Sequence, residues 1–270
     1  MKKTIKNLAL LPLFCGLLLT SACSDNYDNG NKNKDGERLL PSRIFSVFDG
    51  NELNLLVFSY DEQNRITRVI SRDMTYEITY NTDGTVATIR GIMGNWEVEL
   101  STFVYSGNTI RRIRDRGYRD GVDTFHFEIN DRGQVVRKWY CSRWDGCREY
   151  SYTHNTIGNI VRRIVAITCE ERGEGEFVVD FEYSLTARAV FRNISTPEWV
   201  LQGNMLFDFE GELFVLTKHG FVPTKFRLVD DEWVEKAIVT YTAENGWVQT
   251  MRIYDGYDFR TIHIEYINAR

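Results

Sequence analysis

The chain has 270 residues, of which 43% are apolar and 13% aromatic, and its formal net charge is −5. A chain of this length and composition can bury a real core, as one large β domain or two smaller ones. No basic stripe is available for a phosphate backbone, which argues against nucleic acid as a partner.

Residues 1–22 have the parts of a secretory signal peptide. Three lysines lie in the first six residues, an apolar run starts at Leu8, and small residues precede Cys23. The apolar run is too short to span a bilayer. Small residues before the cysteine resemble the lipobox of bacterial lipoproteins, so we expect cleavage after residue 22 and a lipid anchor on Cys23. A cleaved signal without lipid is the alternative.

Residues 23–39 contain almost nothing apolar and cannot bury enough surface to fold. We expect a lipidated cysteine followed by a flexible polar tether. The acidic residues directly after Cys23 resemble the surface-export signal of Bacteroidetes lipoproteins. The predicted location is therefore the outer membrane, with exposure at the cell surface as a hypothesis.

Residues 40–270 repeat one unit: a strand of alternating aromatic residues, a polar turn, and a second strand rich in Ile, Val and Arg. Equivalent positions lie about 25 residues apart, at Tyr80, Tyr105, Ile129 and His154. Alternation at period two indicates half-buried strands, and the Asn- and Gly-rich turns between them suit hairpins. The prediction is a single all-β domain built as an antiparallel meander.

The repeat, with Tyr/Phe-x-Tyr/Phe, Asn/Asp-x-x-Gly and Ile/Val-x-Arg, resembles the YD-type repeats of secreted bacterial proteins. Together with the lipobox and the acidic tether, it is similar to Bacteroidetes lipoproteins of unknown function that have a porin-like fold. The resemblance covers residues from about Leu40 onward. It implies a many-stranded antiparallel barrel, closed or strongly curled, and offers no catalytic residues to carry over.

Charged residues in the repeat follow a pattern, because first strands carry acids and second strands carry bases. Such ladders suit the solvated face of a sheet, where facing opposite charges contribute about 0.2–1 kcal/mol per pair. In lipid, each central Arg or Lys would cost about 2–4 kcal/mol, so a soluble barrel is favoured over a membrane-spanning one. The bases assigned to this solvated ladder include Arg68, Arg111, Arg112, Arg137, Lys138, Arg162 and Arg163.

Helical patterns are scarce, and only residues 195–203 combine a cap, an early proline and a terminating glycine. One or two helical turns are expected there, with a seam between two halves of the sheet.

Cys141 and Cys147 flank a turn between two predicted strands, which can place their sulfurs opposite each other in an oxidising compartment. They are the candidate disulfide, and two free buried thiols are the alternative. Cys169 would then have no further cysteine to pair with, and its simplest role is that of a small buried apolar residue.

Three residues at hairpin tips are candidates for ligand binding: Trp96, Trp144 and Asp145. Exposed aromatic rings beside polar groups can stack on sugars. Packing at the rim of the barrel is the alternative. The remaining tryptophans, Trp139 and Trp199 among them, lie in strand or helix patterns and are expected in the core.

No catalytic motif, metal-site spacing or cofactor-binding motif was found, so none of these is expected. His126 with Glu128, and His263 with Glu265, are interpreted as solvated cross-strand pairs. The preferred function is a binding module for a glycan, a host protein or another envelope macromolecule. A glycosidase-like hydrolase with paired carboxylates in the barrel mouth, and a structural envelope protein, are the alternatives.

Overall fold

A computed structural model describes residues 38–48, 51–71, 73–117, 121–142, 146–169, 173–202, 221–229, 236–254 and 259–270. They contain sixteen strands and one short helix: β1 (Leu39–Phe48), β2 (Asn51–Tyr60), β3 (Ile66–Ser71), β4 (Met74–Tyr80), β5 (Val86–Met93), β6 (Trp96–Ser106), β7 (Thr109–Asp115), β8 (Val122–Ile129), β9 (Val135–Ser142), β10 (Gly146–His154), β11 (Ile160–Cys169), β12 (Gly173–Arg188), α1 (Glu198–Gln202), β13 (Phe221–Val229), β14 (Lys236–Glu244), β15 (Trp247–Tyr254) and β16 (Phe259–Asn268). The predicted all-β antiparallel meander is confirmed. The predicted signal peptide and residues 23–37 of the predicted tether lie outside the described residues, whereas Leu39, the last residue of the predicted tether, begins β1.

Each described strand pairs antiparallel with its neighbour in the chain, and the first strand pairs with the last. β1 contacts β2 on one side, with Ile44 opposite Leu56, and β16 on the other, with Ile44 opposite Ile264. The described strands therefore form a closed barrel. Closure removes the unpaired edges that would otherwise template aggregation of a long meander.

Short turns at one end of the barrel repeat one geometry. In the turn after β8, the Asn130 side-chain oxygen accepts hydrogen bonds from the backbone N–H groups of Arg132 and Gln134, both at 3.0 Å. Gly133 has a φ of 73°, a conformation that glycine adopts without strain. Asp61 and Asn155 accept the same pair of bonds in the turns after β2 and β10.

Tyrosines tie successive hairpins together at this same end. Each lies on a first strand and donates its hydroxyl to a backbone carbonyl of the strand that precedes it in the chain. The bonds run from Tyr60 to Pro41 (2.5 Å), Tyr80 to Ile66 (2.7 Å), Tyr105 to Val86 (2.8 Å), Tyr183 to Ile160 (2.6 Å) and Tyr266 to Val248 (2.9 Å). Burial raises the pKa of Tyr80 to about 12, so the hydroxyl stays a donor at neutral pH.

Residues 189–202, which follow β12, fill the barrel at this end, and we call them the plug. The Asn193 side chain donates to the Leu39 carbonyl at 3.0 Å, and Thr196 accepts a hydrogen bond from the Ile66 N–H at 2.7 Å. Such bonds satisfy strand ends that would otherwise be left without partners. We call this end of the barrel the plugged end.

The apolar residues of the plug join the core. Trp199, on α1, is 3% exposed, and its ring centroid lies 5.1 Å from Phe103 and 5.7 Å from Phe127. Phe191 packs edge-on against Phe58 at 5.5 Å. The helical turns expected at 195–203 are present as α1. β12 precedes this segment in the chain and β13 follows it, and the two strands pair with each other. The sheet is therefore continuous at the expected seam.

The outer face carries ion pairs between neighbouring strands, as the charge pattern predicts. They join Arg43 to Glu52 (2.6 Å), Arg90 to Glu97 (2.8 Å), Arg137 to Glu149 (2.8 Å) and Arg162 to Asp180 (2.6 Å). Exposed pairs of this kind contribute at most about 1 kcal/mol each and mainly favour one strand register. Among the described residues, no helix is long and apolar enough to cross a membrane.

Candidate functional site

Three of the second strands carry two consecutive basic residues, and strand alternation sends one of each pair into the barrel. The inward members are Arg112 on β7, Lys138 on β9 and Arg163 on β11. The prediction that these three belong to the solvated ladder is therefore wrong, whereas their neighbours Arg111, Arg137 and Arg162 do face outward. Successive side chains of a strand point to opposite faces, so a consecutive basic pair cannot lie wholly outside.

Two more arginines face inward beside them. Arg114 lies two residues after Arg112 on β7, and Arg148 lies two residues before buried Tyr150 on β10. We call the five inward residues Arg112, Arg114, Lys138, Arg148 and Arg163 the basic wall. Arg112 and Lys138 are 2% and 3% exposed, and the other three are half-buried. Two residues of the basic wall are therefore shielded from water, and the other three are partly exposed to it.

Two inward carboxylates contact one side of the basic wall. Glu99 on β6 accepts a hydrogen bond from Arg112 and lies 4.0 Å from Arg114. Asp123 on β8 accepts from Arg114 at 2.6 Å. These two acids hold the guanidinium groups of β7 in place. The hydrolase alternative requires interior carboxylates, and Glu99 and Asp123 are two inward acids that both lie next to Arg114.

Aromatic rings separate the cations of the basic wall. The guanidinium carbon of Arg114 lies 4.6 Å from the Phe125 ring centroid. The Lys138 amine lies 5.6 Å from the Tyr140 ring and 5.0 Å from the Tyr150 ring. A cation over a ring face is attracted by the ring quadrupole, and this attraction offsets part of the cost of burying the charge.

The electrostatic environment of Lys138 is strongly positive. Burial is the main cause that lowers its pKa to about 7, and the surrounding Arg112, Arg114, Arg163 and Arg148 lower it further. Burial also lowers the pKa of Arg112 to about 10, against the opposing effect of Glu99. Buried cations with lowered pKa values that lie near one another are typical of functional sites.

The candidate disulfide lies on the hairpin of β9 and β10. Cys141 and Cys147 occupy directly opposed positions, and their sulfurs are bonded at 2.00 Å. β9 carries Lys138 and β10 carries Arg148, and the two cysteines lie toward the end of the barrel away from the plug. A covalent link here fixes the register of the two strands.

The candidate ligand-binding tryptophan Trp96 begins β6 and is 78% exposed. It stands opposite Met93 at the end of the barrel away from the plug. Packing at the rim is therefore not its role. Trp144 and Asp145, the lipidation candidate Cys23, and the side chain of Cys169 lie outside the described part of the structure.

The two histidine and glutamate pairs face outward. His126 stacks on Trp139 with ring centroids 4.9 Å apart, so Trp139 is on the outer face and not in the core as expected. His263 stacks on Phe45 at 5.0 Å. No group of three or more metal-ligating side chains comes together among the described residues.

Comparison with known proteins yields structural likeness alone. No family model and no curated protein matches the chain. A porin-like protein from Bacteroides vulgatus ATCC 8482 is 10% identical, with a TM-score of 0.45 over 84% of this chain and 98% of that one. A porin-like protein from Bacteroides uniformis ATCC 8492 is 13% identical, with a TM-score of 0.36 over the same shares. Function has to be inferred from the residues of this chain.

Proposed function

We propose that this protein is a binding protein of the outer membrane, anchored by lipid on Cys23, whose barrel takes a ligand from the end opposite the plug. One observation carries the proposal. Residues 189–202 fill one end with apolar side chains, whereas β6 to β11 line the interior with half-buried polar and charged groups. A concave site with an apolar floor and a few convergent polar groups is the usual form of a ligand site.

Two features support a barrel that stands in water over one that conducts through a membrane. The outer face carries ion pairs such as Arg137 with Glu149 and Arg162 with Asp180, and charges at these positions would be costly in lipid. The plug occupies the path that a pore would need. The lipobox-like segment before Cys23 and the polar tether support membrane attachment through lipid.

A binding role also fits the carboxylates better than the hydrolase alternative does. Glu99 and Asp123 both accept hydrogen bonds from arginines of the basic wall. Their oxygen atoms therefore have donors already and serve to orient guanidinium groups. Among the described residues, no further observation favours a reaction over binding.

Membrane attachment is tested by fractionating cells that express the full chain or its Cys23→Ser variant. We expect the wild-type chain in the membrane fraction and the variant in the soluble fraction. Equal membrane association of both would contradict the lipid anchor. Purified full chain added to a planar bilayer is expected to give no conductance steps, and stepwise conductance would contradict a plugged barrel.

Binding is tested by thermal melting of the Cys23→Ser chain against a panel of neutral and acidic mono- and oligosaccharides. We expect at least one member to raise the melting temperature by several degrees, because a ligand that binds only the folded state stabilises it. A panel that leaves the melting temperature unchanged throughout would contradict a saccharide-binding role.

A further inference from the structure

We propose that the mouth of the barrel, at the end away from the plug, holds a binding site for a soft monovalent metal ion, Cu(I). The thioether sulfurs of Met74 and Met93 bind the ion in this proposal, and the indole ring of Trp96 lies against it. The site goes beyond the binding role above and does not rest on it.

The three side chains lie in one row across three neighbouring strands. Met93, the last residue of β5, stands directly opposite Met74 on β4 and directly opposite Trp96 on β6. Directly opposed residues point to the same face of a sheet, with Cβ atoms about 4.5–5.5 Å apart. Met74 precedes buried Tyr76 by two residues, so this face is the inner one. The row therefore faces the barrel interior at its mouth.

A glycine on β5 brings the Met74 side chain toward Met93. Gly91 lies two residues before Met93 on the same face, and a Cβ atom at Gly91 would be 3.2 Å from the terminal methyl carbon of Met74. A glycine inside a strand often marks the close approach of another group. The Met74 thioether group therefore reaches across to β5, on the side of the sheet to which Met93 points. Both sulfurs can contact one ion there.

Met93 and Trp96 are exposed to water although both face inward. The exposed fractions are 49% for Met93 and 78% for Trp96, and Met74 is half-buried. Met251 shows the ordinary role of a methionine in this barrel, because it is fully buried in the core. Neighbouring apolar side chains that remain in water mark interaction sites. The row at the mouth is therefore accessible to an ion from solution.

The chemistry of the row favours Cu(I) over harder metal ions. Thioether sulfur is a soft, polarisable ligand that selects Cu(I), whereas carboxylate and carbonyl oxygens suit Mg²⁺, Ca²⁺ and Mn²⁺. Glu99, an inward carboxylate on β6, already accepts a hydrogen bond from Arg112. An indole ring attracts a cation more strongly than other aromatic rings do. The row thus offers two soft ligands and a ring face to one monovalent cation.

Methionine ligands persist where cysteine thiols do not. Cys141 and Cys147 are joined as a disulfide, so neither offers a thiolate to a metal ion. A thioether forms no disulfide and releases no proton when it binds a metal, so it stays a ligand in an oxidising compartment and at acidic pH. The affinity of this row for a metal ion is therefore independent of pH between about 5 and 8.

The test uses Ag(I), which has the charge and the softness of Cu(I) and needs no reductant. The protein is the full chain with Cys15, Cys23 and Cys169 replaced by serine, because free thiols would bind Ag(I) first. Its methionine methyl groups carry carbon-13, and NMR follows each methyl signal as Ag(I) is added in chloride-free buffer. We expect the signals of Met74 and Met93 to shift together and to saturate at one Ag(I) per chain. A titration in which neither signal moves, or only one of them, would overturn the site.

Leucine keeps about the volume of methionine without its sulfur, so it gives matched variants. Met74→Leu and Met93→Leu should each weaken Ag(I) binding at least tenfold, whereas Met251→Leu should change it less than twofold. The same variants assign the methyl signals, and melting curves confirm that each variant folds. Equal affinities in the three variants would contradict a site at the mouth.

Trp96 is tested by its fluorescence. Ag(I) against the indole ring should quench part of the emission of the parent chain. Trp96→Leu should lose that quenching and bind Ag(I) severalfold more weakly, because the cation no longer faces a ring. Unchanged affinity in Trp96→Leu would show that the ring does not contact the ion.

The choice of metal and the effect of pH separate thioether ligands from other ligands. Cu(I), kept reduced with ascorbate, should cause the same two methyl shifts, and Mg²⁺ or Zn²⁺ should cause none. Ag(I) affinity should be the same at pH 5 and at pH 8. A tenfold weaker affinity at pH 5, or methyl shifts with Zn²⁺ and none with Cu(I), would overturn a Cu(I) site built on thioethers.

Discussion

At the scale of the residue, Lys138 is a cation whose surroundings disfavour its charge. Its amine is buried among four guanidinium groups and two tyrosine rings. Taking an ammonium group out of water and placing it among like charges disfavours its charged form. Keeping this amine charged in the folded state lowers the free energy of unfolding.

Lys138→Met should therefore stabilise the protein most near pH 7. The unfolded chain binds a proton at this lysine up to about pH 10.5, whereas the folded chain releases it above about pH 7. Between these values the free energy of unfolding of the parent rises with pH, by up to about 1.4 kcal/mol per pH unit. The advantage of the variant should shrink from pH 7 to pH 9.5, measured by urea unfolding.

The outward neighbour on β9 is the control. Arg137→Met should change stability by the same amount at every pH in this range, because its guanidinium stays charged throughout. If the free energy of unfolding of the parent chain and of Lys138→Met changed with pH in the same way, the lowered pKa of Lys138 would be contradicted. The range stops below pH 10, where the raised pKa values of the buried tyrosines begin to oppose the effect.

A second prediction at this scale concerns the tyrosines of the plugged end. Tyr105→Phe removes the donor that the Val86 carbonyl accepts at 2.8 Å and leaves the rest of the ring in place. We expect a loss of about 1 kcal/mol in urea unfolding. Thr79→Val, which removes an exposed hydroxyl pair with Thr88, should cost less than about 0.5 kcal/mol. A smaller loss of stability for Tyr105→Phe than for the control would contradict a stabilising role for the tyrosine hydrogen bonds.

The inward arginines show how far residue roles can be predicted. Consecutive basic pairs recur at Arg111 and Arg112, at Arg137 and Lys138, and at Arg162 and Arg163, and strand alternation requires one inward member in each. That pattern could have indicated an interior basic site. Which member of each pair points inward depends on register, and register follows from bulges that the repeat does not reveal.

At the scale of the element, the plug is the feature that periodicity misses. Residues 189–202 contain one short helix and irregular backbone, so no repeat or alternation indicates where they lie. Their buried Phe191, Trp199 and Leu201 show that the segment is part of the core. The strands, by contrast, were predictable because alternation and turn chemistry agree along most of the chain.

Trp199→Ala tests the plug. Removing this ring from between Phe103 and Phe127 should leave a cavity and cost about 3–5 kcal/mol. Trp96→Ala, at an exposed position, should change stability by less than about 0.5 kcal/mol. Both values come from urea unfolding of the full chain. Similar small effects for the two substitutions would mean that the plug contributes little to the core.

The disulfide on the hairpin of β9 and β10 permits a second test at this scale. Replacing Cys141 and Cys147 together by serine should lower the free energy of unfolding by about 2 kcal/mol, since the closed loop is short. A reducing agent should destabilise the parent chain by the same amount and leave the double variant unchanged. If the same reducing agent also destabilised the double variant, its effect on the parent chain would not come from this disulfide.

At the scale of the whole molecule, charge is sorted between two surfaces. The outer face pairs its charges between neighbouring strands, whereas five cations of β7 to β11 face inward, where Glu99 and Asp123 contact two of them. The chain as a whole is acidic, with a net charge of −5. The net charge of the chain therefore gives no sign of the cations that face the interior.

The most direct measurement is the crystal structure of the Cys23→Ser chain. We predict a closed barrel in which residues 189–202 lie inside one end, with Trp199 packed between Phe103 and Phe127. Residues 189–202 packed outside the barrel, or an open passage through the end that holds Trp199, would contradict a plugged barrel.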